Sequence, residues 1–176
     1  MARFRYFGWP EYGVLLEKLA KLVASERRGF DLVIGIARGG LPVAMVISDR
    51  LGAKVDFINV KSYTGLGKRG KPQILTTITE QIRGERILLA DDIVDEGHTM
   101  LTVTDYLSTK EPASIKTAAL FTKPWSVVHP DFSLGVLDAW VVFPYERGEV
   151  KRLRAGEGKL RASEARGAAT ASPAKK

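Results

Sequence analysis

Three carboxylates and a glycine turn follow one strongly apolar stretch near the middle of the chain. Residues 87–90 lead directly into Asp91 and Asp92, a third acid stands at Asp95, and Thr99 follows the turn. Carboxylates at a strand end can accept hydrogen bonds from vicinal hydroxyls and hold magnesium through oxygen. Backbone N–H groups of a tight turn that opens a helix bind phosphate. An isolated Asp-Asp pair would more simply cap a helix, but the whole pattern predicts a site for a phosphorylated sugar.

Arg38 and two glycines form a second cluster that could contact an anion. They end the sequence Gly35-Ile-Ala-Arg-Gly-Gly40, which follows an apolar run. A glycine pair after a strand usually marks only a turn. The planar guanidinium of Arg38, however, presents a fork that suits phosphate oxygens. The cluster therefore indicates a second phosphate contact.

Three further stretches contain cations, aromatic residues or several glycines. Lys61-Ser62-Tyr63 is followed by TGLGKRGKP, which by itself is typical of a solvated basic loop. Lys123 lies in the string FTKPW, and Trp140 lies in DAWVVFPYE. Taken singly, a lysine is most often a surface residue and a tryptophan is mostly buried. Taken alone, these stretches indicate no function. They become candidates for a site only if the fold brings them close to the acidic cluster and to Arg38.

The elements that position these residues follow from the hydrophobic periodicity and from the glycines and prolines. Helices are predicted over residues 12–28, 42–51 and 99–108. Strands are predicted over residues 31–36, 54–63, 74–79, 86–90 and 114–121, with a glycine-rich basic loop over residues 64–72.

This alternation of strands and helices implies parallel strands joined by right-handed crossovers. We therefore predict an α/β fold with an open, mainly parallel twisted sheet flanked by helices. In such sheets ligands bind beyond the carboxyl ends of the strands. The unusual residues fall at those ends, namely Arg38 with Gly39, residues 61–71, residues 91–99, and Lys123. Their convergence predicts one site.

The segment from Ile87 to Thr99 resembles the phosphoribosyl pyrophosphate (PRPP) motif of type I phosphoribosyltransferases. That motif has four hydrophobic residues, two acids, a spacer, Asp, a small residue, Gly, any residue and Thr. The resemblance runs from about residue 9 to residue 147. It implies one domain over residues 1–150, in which a small base-binding hood is formed by about residues 1–10 and 123–150. Residues 151–176 would be a basic C-terminal tail.

The resemblance also implies which residues bind PRPP. Asp91 and Asp92 would hold the ribose and, with Glu146, the Mg²⁺ ion, while Arg38 and Gly39 would bind pyrophosphate. Asp95 would be the general base. The 5′-phosphate would lie in the turn made of Asp95, Glu96, Gly97, His98 and Thr99.

The turn at residues 95–99 and the segment around Arg38 carry three more specific expectations. Glu96 stands where the family usually has Thr or Ser, so we expect its carboxylate to face solvent and phosphate to rely on backbone amides and Thr99. His98 fills the variable position and is expected to be solvated rather than to bind metal. Relatives often hold the pyrophosphate loop through a cis non-proline peptide, and Ala37–Arg38 is the corresponding bond.

The basic stretch and the two aromatic stretches also match parts of the family. Ser62 and Tyr63 match the pair that closes a mobile lid over PRPP, and Lys68 and Arg69 would attract pyrophosphate there. In 6-oxopurine phosphoribosyltransferases, a lysine donates to O6 and N7, an aromatic ring stacks on the purine, and the next residue's backbone reads the pyrimidine edge. The residues in these places are Lys123, Trp140 and Val141.

The resemblance therefore implies a Mg²⁺-dependent purine phosphoribosyltransferase of nucleotide salvage, acting on PRPP and hypoxanthine, guanine or xanthine. Adenine phosphoribosyltransferase is a rival, because small changes around Lys123 could let the hood read N6. A PRPP-sensing regulator would need a nucleic-acid-binding segment, for which only the tail could serve. A PRPP synthetase shares the ribose-phosphate motif but is normally longer and binds ATP. Relatives are dimers or tetramers, so a homo-oligomer is expected.

Composition narrows the setting further. There is no cysteine, and no export signal or apolar run of membrane-spanning length is visible, so a cytoplasmic protein is expected. Residues 151–176 contain eight Lys or Arg and two Glu, so they carry +6 of the net charge of +7. The rest of the chain is nearly neutral, and we expect a solvated tail rather than a nucleic-acid partner.

Overall fold

The computed structural model describes residues 4–65, 68–148 and 150–152, and for residues 62–65 and 68–70 it describes the backbone alone. Three helices are α1 (Trp9–Ala24), α2 (Gly40–Leu51) and α3 (His98–Ser108), and residues 147–148 and 150–152 are also helical. The strands are β1 (Phe4–Tyr6), β2 (Leu32–Ala37), β3 (Lys54–Gly65), β4 (Lys68–Ile74), β5 (Arg86–Val94), β6 (Ser114–Thr122), β7 (Phe132–Ser133) and β8 (Trp140–Val142). No helix of the described residues is long and apolar enough to cross a membrane.

The described residues divide into two compact units. Among them, Gly13 to Asp138 belong to the larger unit, and the smaller unit combines the described residues up to Tyr12 with those from Ala139 onward. Residues 123–138, which the sequence assigns to the hood, therefore belong to the larger unit. The predicted tail lies outside the described residues beyond Arg152.

The larger unit contains a six-stranded sheet in the order β4-β3-β2-β5-β6-β7. Its neighbouring strands are parallel except for β3 and β4, which are antiparallel. From β2 the chain moves to β3 on one side, and β5 lies on the other side. The carboxyl ends of β2 and β5 therefore form the switch point at which open α/β sheets bind ligands. The predicted mainly parallel α/β fold is confirmed.

The core of the larger unit lies around β2 and β5, whose apolar residues are almost fully buried. One side of α3 contributes Met100, Val103 and Leu107, which recur at helical spacing and are also buried. Each such side chain contributes about 1.5–3 kcal/mol through its removal from water. This packing fixes the two strand ends and the start of α3 relative to one another.

The smaller unit has its own pairing and its own aromatic cluster. Strand β1 pairs with β8 in parallel, with Phe4 opposite Trp140 and Tyr6 opposite Val142. The ring of Phe143 lies 5.7 Å from that of Phe7, 5.4 Å from that of Tyr12 and 5.8 Å from that of Tyr145.

The prediction of a strand over residues 74–79 was wrong, and so was the prediction that residues 64–72 form a loop throughout. The backbone of Lys68–Ile74 forms β4 and pairs with β3, although its residues look like a solvated loop. The β-branched residues after it form no strand, and Asp56 holds the end of this stretch. Its carboxylate accepts hydrogen bonds from the backbone N–H groups of Thr79 and Glu80, at 2.6 and 3.0 Å.

Other boundaries differ by a few residues. Helix α1 begins and ends earlier than the predicted 12–28. Strand β5 continues four residues beyond the predicted end at residue 90, through both aspartates to Val94. It does so because β6 pairs with it along that length, with Asp91 opposite Ala119 and Val94 opposite Thr122.

Candidate active site

The predicted pyrophosphate loop and the acidic pair meet at the switch point of the sheet. The loop follows β2, and the peptide bond between Ala37 and Arg38 is cis, which confirms the expectation for that bond. Gly39 lies directly against Asp92, because a Cβ atom at Gly39 would overlap the Asp92 carboxylate. A Cβ atom at Gly40 would overlap the carbonyl oxygen of Ala90. Both glycines are thus required by close approach to β5.

Asp91 and Asp92 are held in place by the backbone of the strand end. The N–H of Asp92 donates to Oδ1 of Asp91 at 2.9 Å, and the N–H of Ile93 donates to Oδ1 of Asp92 at 2.6 Å. Asp92 is only 7% exposed. Burial, and next the negative charge of Asp92, raise the pKa of Asp91 well above its ordinary value. Two such carboxylates favour a ligand that brings hydroxyl donors or a cation.

The predicted phosphate turn leads from β5 into α3. Gly97 has φ of 90°, a left-handed conformation, and a Cβ atom there would lie 2.9 Å from Oγ of Ser126. The first N–H groups of a helix have no partner within the helix, which suits them to an anion. The turn lines a pocket of about 950 Å³ whose wall includes Asp91, Asp95, Glu96, Gly97, His98 and Thr99.

The side chains of Glu96 and His98 differ in exposure. His98 is exposed, in agreement with the expectation of a solvated residue. Glu96 is partly buried and belongs to the pocket wall, so it is not simply directed into solvent as expected. Its carbonyl oxygen accepts a hydrogen bond from the N–H of Val127 at 3.1 Å. The phosphate turn is therefore braced by the segment that follows β6.

That segment carries Lys123, which is only 5% exposed. Burial lowers the pKa of the Lys123 ammonium, and the negative charges of Asp95 and Asp138 oppose this shift. The ammonium lies 5.4 Å from the centre of the Trp125 ring. A lysine with this degree of burial is typical of a functional site rather than of the protein surface.

Trp125 is a residue to which the sequence reasoning gave no role. Its indole Nε1–H donates to Oδ1 of Asp95 at 3.1 Å, and its side chain is 54% exposed. The only sequence signal was its position two residues after Lys123. Nothing in that spacing shows that the ring reaches back to the phosphate turn.

The remaining residues predicted for the base and the metal belong to the smaller unit. Trp140 and Val141 belong to β8 of the smaller unit, where Trp140 is 52% exposed. Glu146, in the same unit, accepts a hydrogen bond from the N–H of Phe143 at 2.9 Å. Its role at the metal stays a prediction. Among the described residues, no three His, Cys, Asp or Glu side chains are grouped so that they could hold a metal ion.

The predicted lid falls partly outside the described residues. The backbone of Ser62 and Tyr63 belongs to β3, and that of Lys68 and Arg69 belongs to β4. Their side chains lie outside the described part of the chain, so their predicted contacts stay predictions. Lys71, which follows them in β4, lines the pocket next to the phosphate turn.

Comparison with known proteins defines the class to which this fold and site belong. The family described as the phosphoribosyl transferase domain matches residues 7–147, and the chain therefore belongs to that family.

Individual relatives carry more specific names. The chain is 30% identical over 146 residues to a xanthine-guanine phosphoribosyltransferase of Idiomarina loihiensis, a match that covers 80% of this chain and 86% of the relative. It is 34% identical over 103 residues to a hypoxanthine phosphoribosyltransferase of Escherichia coli, covering 54% and 56% of the two chains. Among solved structures, a purine phosphoribosyltransferase from Pyrococcus horikoshii is 32% identical, with a TM-score of 0.72 over 81% of this chain and 93% of that one.

Proposed function

We propose that this protein is a purine phosphoribosyltransferase of nucleotide salvage. It transfers the 5-phosphoribosyl group of PRPP to N9 of hypoxanthine, guanine or xanthine and releases pyrophosphate. One observation carries the proposal: the loop of Arg38 and Gly39 lies against Asp92 at the strand end that leads into the phosphate turn. Relatives named for these bases support the choice of substrate.

The three parts of PRPP have three groups of ligands in this proposal. Asp91 and Asp92 hold the ribose hydroxyls, the turn from Asp95 to Thr99 holds the 5′-phosphate, and Arg38 binds the pyrophosphate. The two aspartates are also the residues that would hold Mg²⁺, whose chemistry there is to neutralise the pyrophosphate. Because they are two closely spaced oxygen donors with mutual repulsion, they fit such a cation.

In the reaction the bond between C1′ and the pyrophosphate oxygen breaks, and pyrophosphate leaves with the electron pair. The purine N9 forms the new bond to C1′, and the purine loses a proton. We assign that proton to the carboxylate of Asp95, which lines the pocket. A positioned base contributes roughly 10²- to 10⁴-fold in rate. No covalent enzyme intermediate is required.

The choice of base rests on Lys123. Its ammonium can donate hydrogen bonds to O6 of an oxopurine but cannot accept them from the amino group of adenine. Because Lys123 is buried, an unsatisfied donor there would cost about 1–3 kcal/mol, or roughly one to two powers of ten in specificity. Trp140 and Val141 keep the roles that the family resemblance implies. The proposal also includes a homodimer or homotetramer and a cytoplasmic location.

The proposed function is tested by pyrophosphate release from PRPP and guanine in the presence of Mg²⁺. We expect turnover by the wild type and at least a ~100-fold lower kcat/KM for PRPP in the double variant Asp91→Asn, Asp92→Asn, because two charge-assisted contacts are lost. The matched control is Asp49→Asn, which removes an exposed aspartate of α2. Equal PRPP kinetics in the double variant and the control would contradict the proposed site.

A further inference from the structure

Trp125 contacts both side chains that act on the purine in the proposed function, namely Asp95 and Lys123. Its indole N–H donates to the carboxylate of Asp95 at 3.1 Å, and its ring lies 5.4 Å from the ammonium of Lys123. The Trp125 side chain is 54% exposed, so packing in the hydrophobic core does not explain its position. One side chain therefore joins the proposed proton acceptor to the proposed O6 donor.

The main chain keeps these three residues in a fixed register. The N–H of Lys123 donates to the carbonyl of Val94 at 2.9 Å, and the N–H of Val127 donates to the carbonyl of Glu96 at 3.1 Å. These two bonds lie on either side of Asp95 in one segment and of Trp125 in the other. The indole contact to Asp95 thus starts from two backbones that are already held together.

Each contact restricts the orientation of a group that acts on the purine in our proposal. A carboxylate has a broad preference for its last torsion angle, and a directional N–H donor fixes the plane of the two oxygens. An ammonium is attracted to the face of an indole ring, and this attraction strengthens when the ammonium is removed from water. Reaction rates depend steeply on such orientation.

We propose that Trp125 is a positioning residue, which orients Asp95 through its N–H group and Lys123 through its ring for the same purine. This inference rests on the proposed function. It gives the N–H group and the ring of Trp125 different partners, so substitutions can test the two contacts separately. Phenylalanine retains a ring face but no N–H donor, whereas leucine retains neither. Trp125→Phe should therefore disturb Asp95 alone, and Trp125→Leu should disturb both partners.

The kinetic test is a double-mutant cycle with hypoxanthine and PRPP. We expect Trp125→Phe to lower kcat by roughly three- to tenfold with little change in the KM of either substrate. Trp125→Leu should in addition raise the KM of hypoxanthine by about threefold or more. In the Asp95→Asn background, where the proton acceptor is already lost, Trp125→Phe should change kcat less than about twofold.

The matched control is Val136→Ala. Val136 is 61% exposed and belongs to the same unit, so this variant also removes exposed apolar surface, but we expect wild-type kinetics. A loss of the same size from Trp125→Phe in both backgrounds would show a general structural effect and overturn the inference. Wild-type kcat in Trp125→Phe would overturn it as well. Wild-type kcat in Asp95→Asn would instead reject the general base of the proposed function, and the positioning role with it.

A second measurement needs no turnover. In ¹⁵N-edited spectra of the protein without substrate, the indole N–H signal of Trp125 is the one that disappears in Trp125→Phe. We expect that signal to move in Asp95→Ala, which removes the acceptor, and to stay in place in Val136→Ala. A signal that does not move in Asp95→Ala would show that the hydrogen bond is absent in solution and would overturn the inference.

Discussion

Substitution of Gly39 by alanine tests the contact between the pyrophosphate loop and the acidic pair. The backbone of Gly39 has φ of −60° and ψ of −39°, which any residue can adopt. The backbone conformation would therefore allow alanine, and only the lack of room for its Cβ atom excludes it. Its Cβ atom would overlap the carboxylate of Asp92, which is 7% exposed and held by the N–H of Ile93 at 2.6 Å. Either the loop or Asp92 must move.

The size of the effect follows from this overlap. Overpacking of a well-packed site costs typically about 1–3 kcal/mol, which corresponds to a melting temperature lower by roughly 2–12 °C in a domain of this size. If a similar free energy is lost from PRPP binding in the transition state, kcat/KM for PRPP falls by about 5- to 150-fold. The KM of the purine should change little, because the base does not contact this loop in our proposal.

Initial rates at varied PRPP and thermal melts measure both effects. The matched control is Gly13→Ala in α1, where a Cβ atom would meet nothing within 4 Å. That variant should be slightly more stable, because alanine is favoured over glycine in a helix by about 0.5–1 kcal/mol, and its kinetics should be those of the wild type. Wild-type PRPP kinetics and melting temperature in Gly39→Ala would refute the proposed contact.

Three other substitutions test the remaining groups. Arg38→Ala should raise the KM of PRPP by ~10-fold or more and leave the KM of the base unchanged; the reverse pattern in steady-state kinetics would place Arg38 elsewhere. Lys123→Met should lower kcat/KM for hypoxanthine by at least ~10-fold more than for adenine, while Lys18→Met, at an exposed site of α1, should change neither. Glu96→Thr should lower the KM of PRPP by roughly fivefold, since about 1 kcal/mol of charge repulsion is removed; an unchanged KM would show that Glu96 does not oppose phosphate.

The residues that bind PRPP in our proposal could be predicted because the motif is local. The apolar run of β5, the two aspartates and the glycine turn are contiguous, so one segment specifies a strand end, an acidic pair and the start of α3. The pyrophosphate loop was found in the same way, from the run that forms β2. Both strands are buried on each side, and this is why short apolar runs identified them correctly.

The features that the sequence did not reveal depend on partners far along the chain. Residues 76–79 look like a strand, but they form none, and Asp56 of β3 accepts hydrogen bonds from the N–H groups of Thr79 and Glu80. Residues 68–74 look like a loop, but pairing with β3 makes them a strand. Trp125 reaches Asp95 across thirty residues of sequence, a contact that spacing alone cannot show. Local patterns therefore predict the candidate site, and tertiary contacts determine the structure around it.

The measurement that tests the central claim most directly is the rate of pyrophosphate release from PRPP and Mg²⁺ with each of four bases. Hypoxanthine, guanine, xanthine and adenine are compared by their kcat/KM values under one set of conditions. We predict that at least one 6-oxopurine exceeds adenine by at least ~10-fold, because the buried Lys123 ammonium is a donor without accepting capacity. If adenine is the fastest substrate, the assignment of O6 to Lys123 is wrong. If no base releases pyrophosphate, the proposed transferase activity is contradicted.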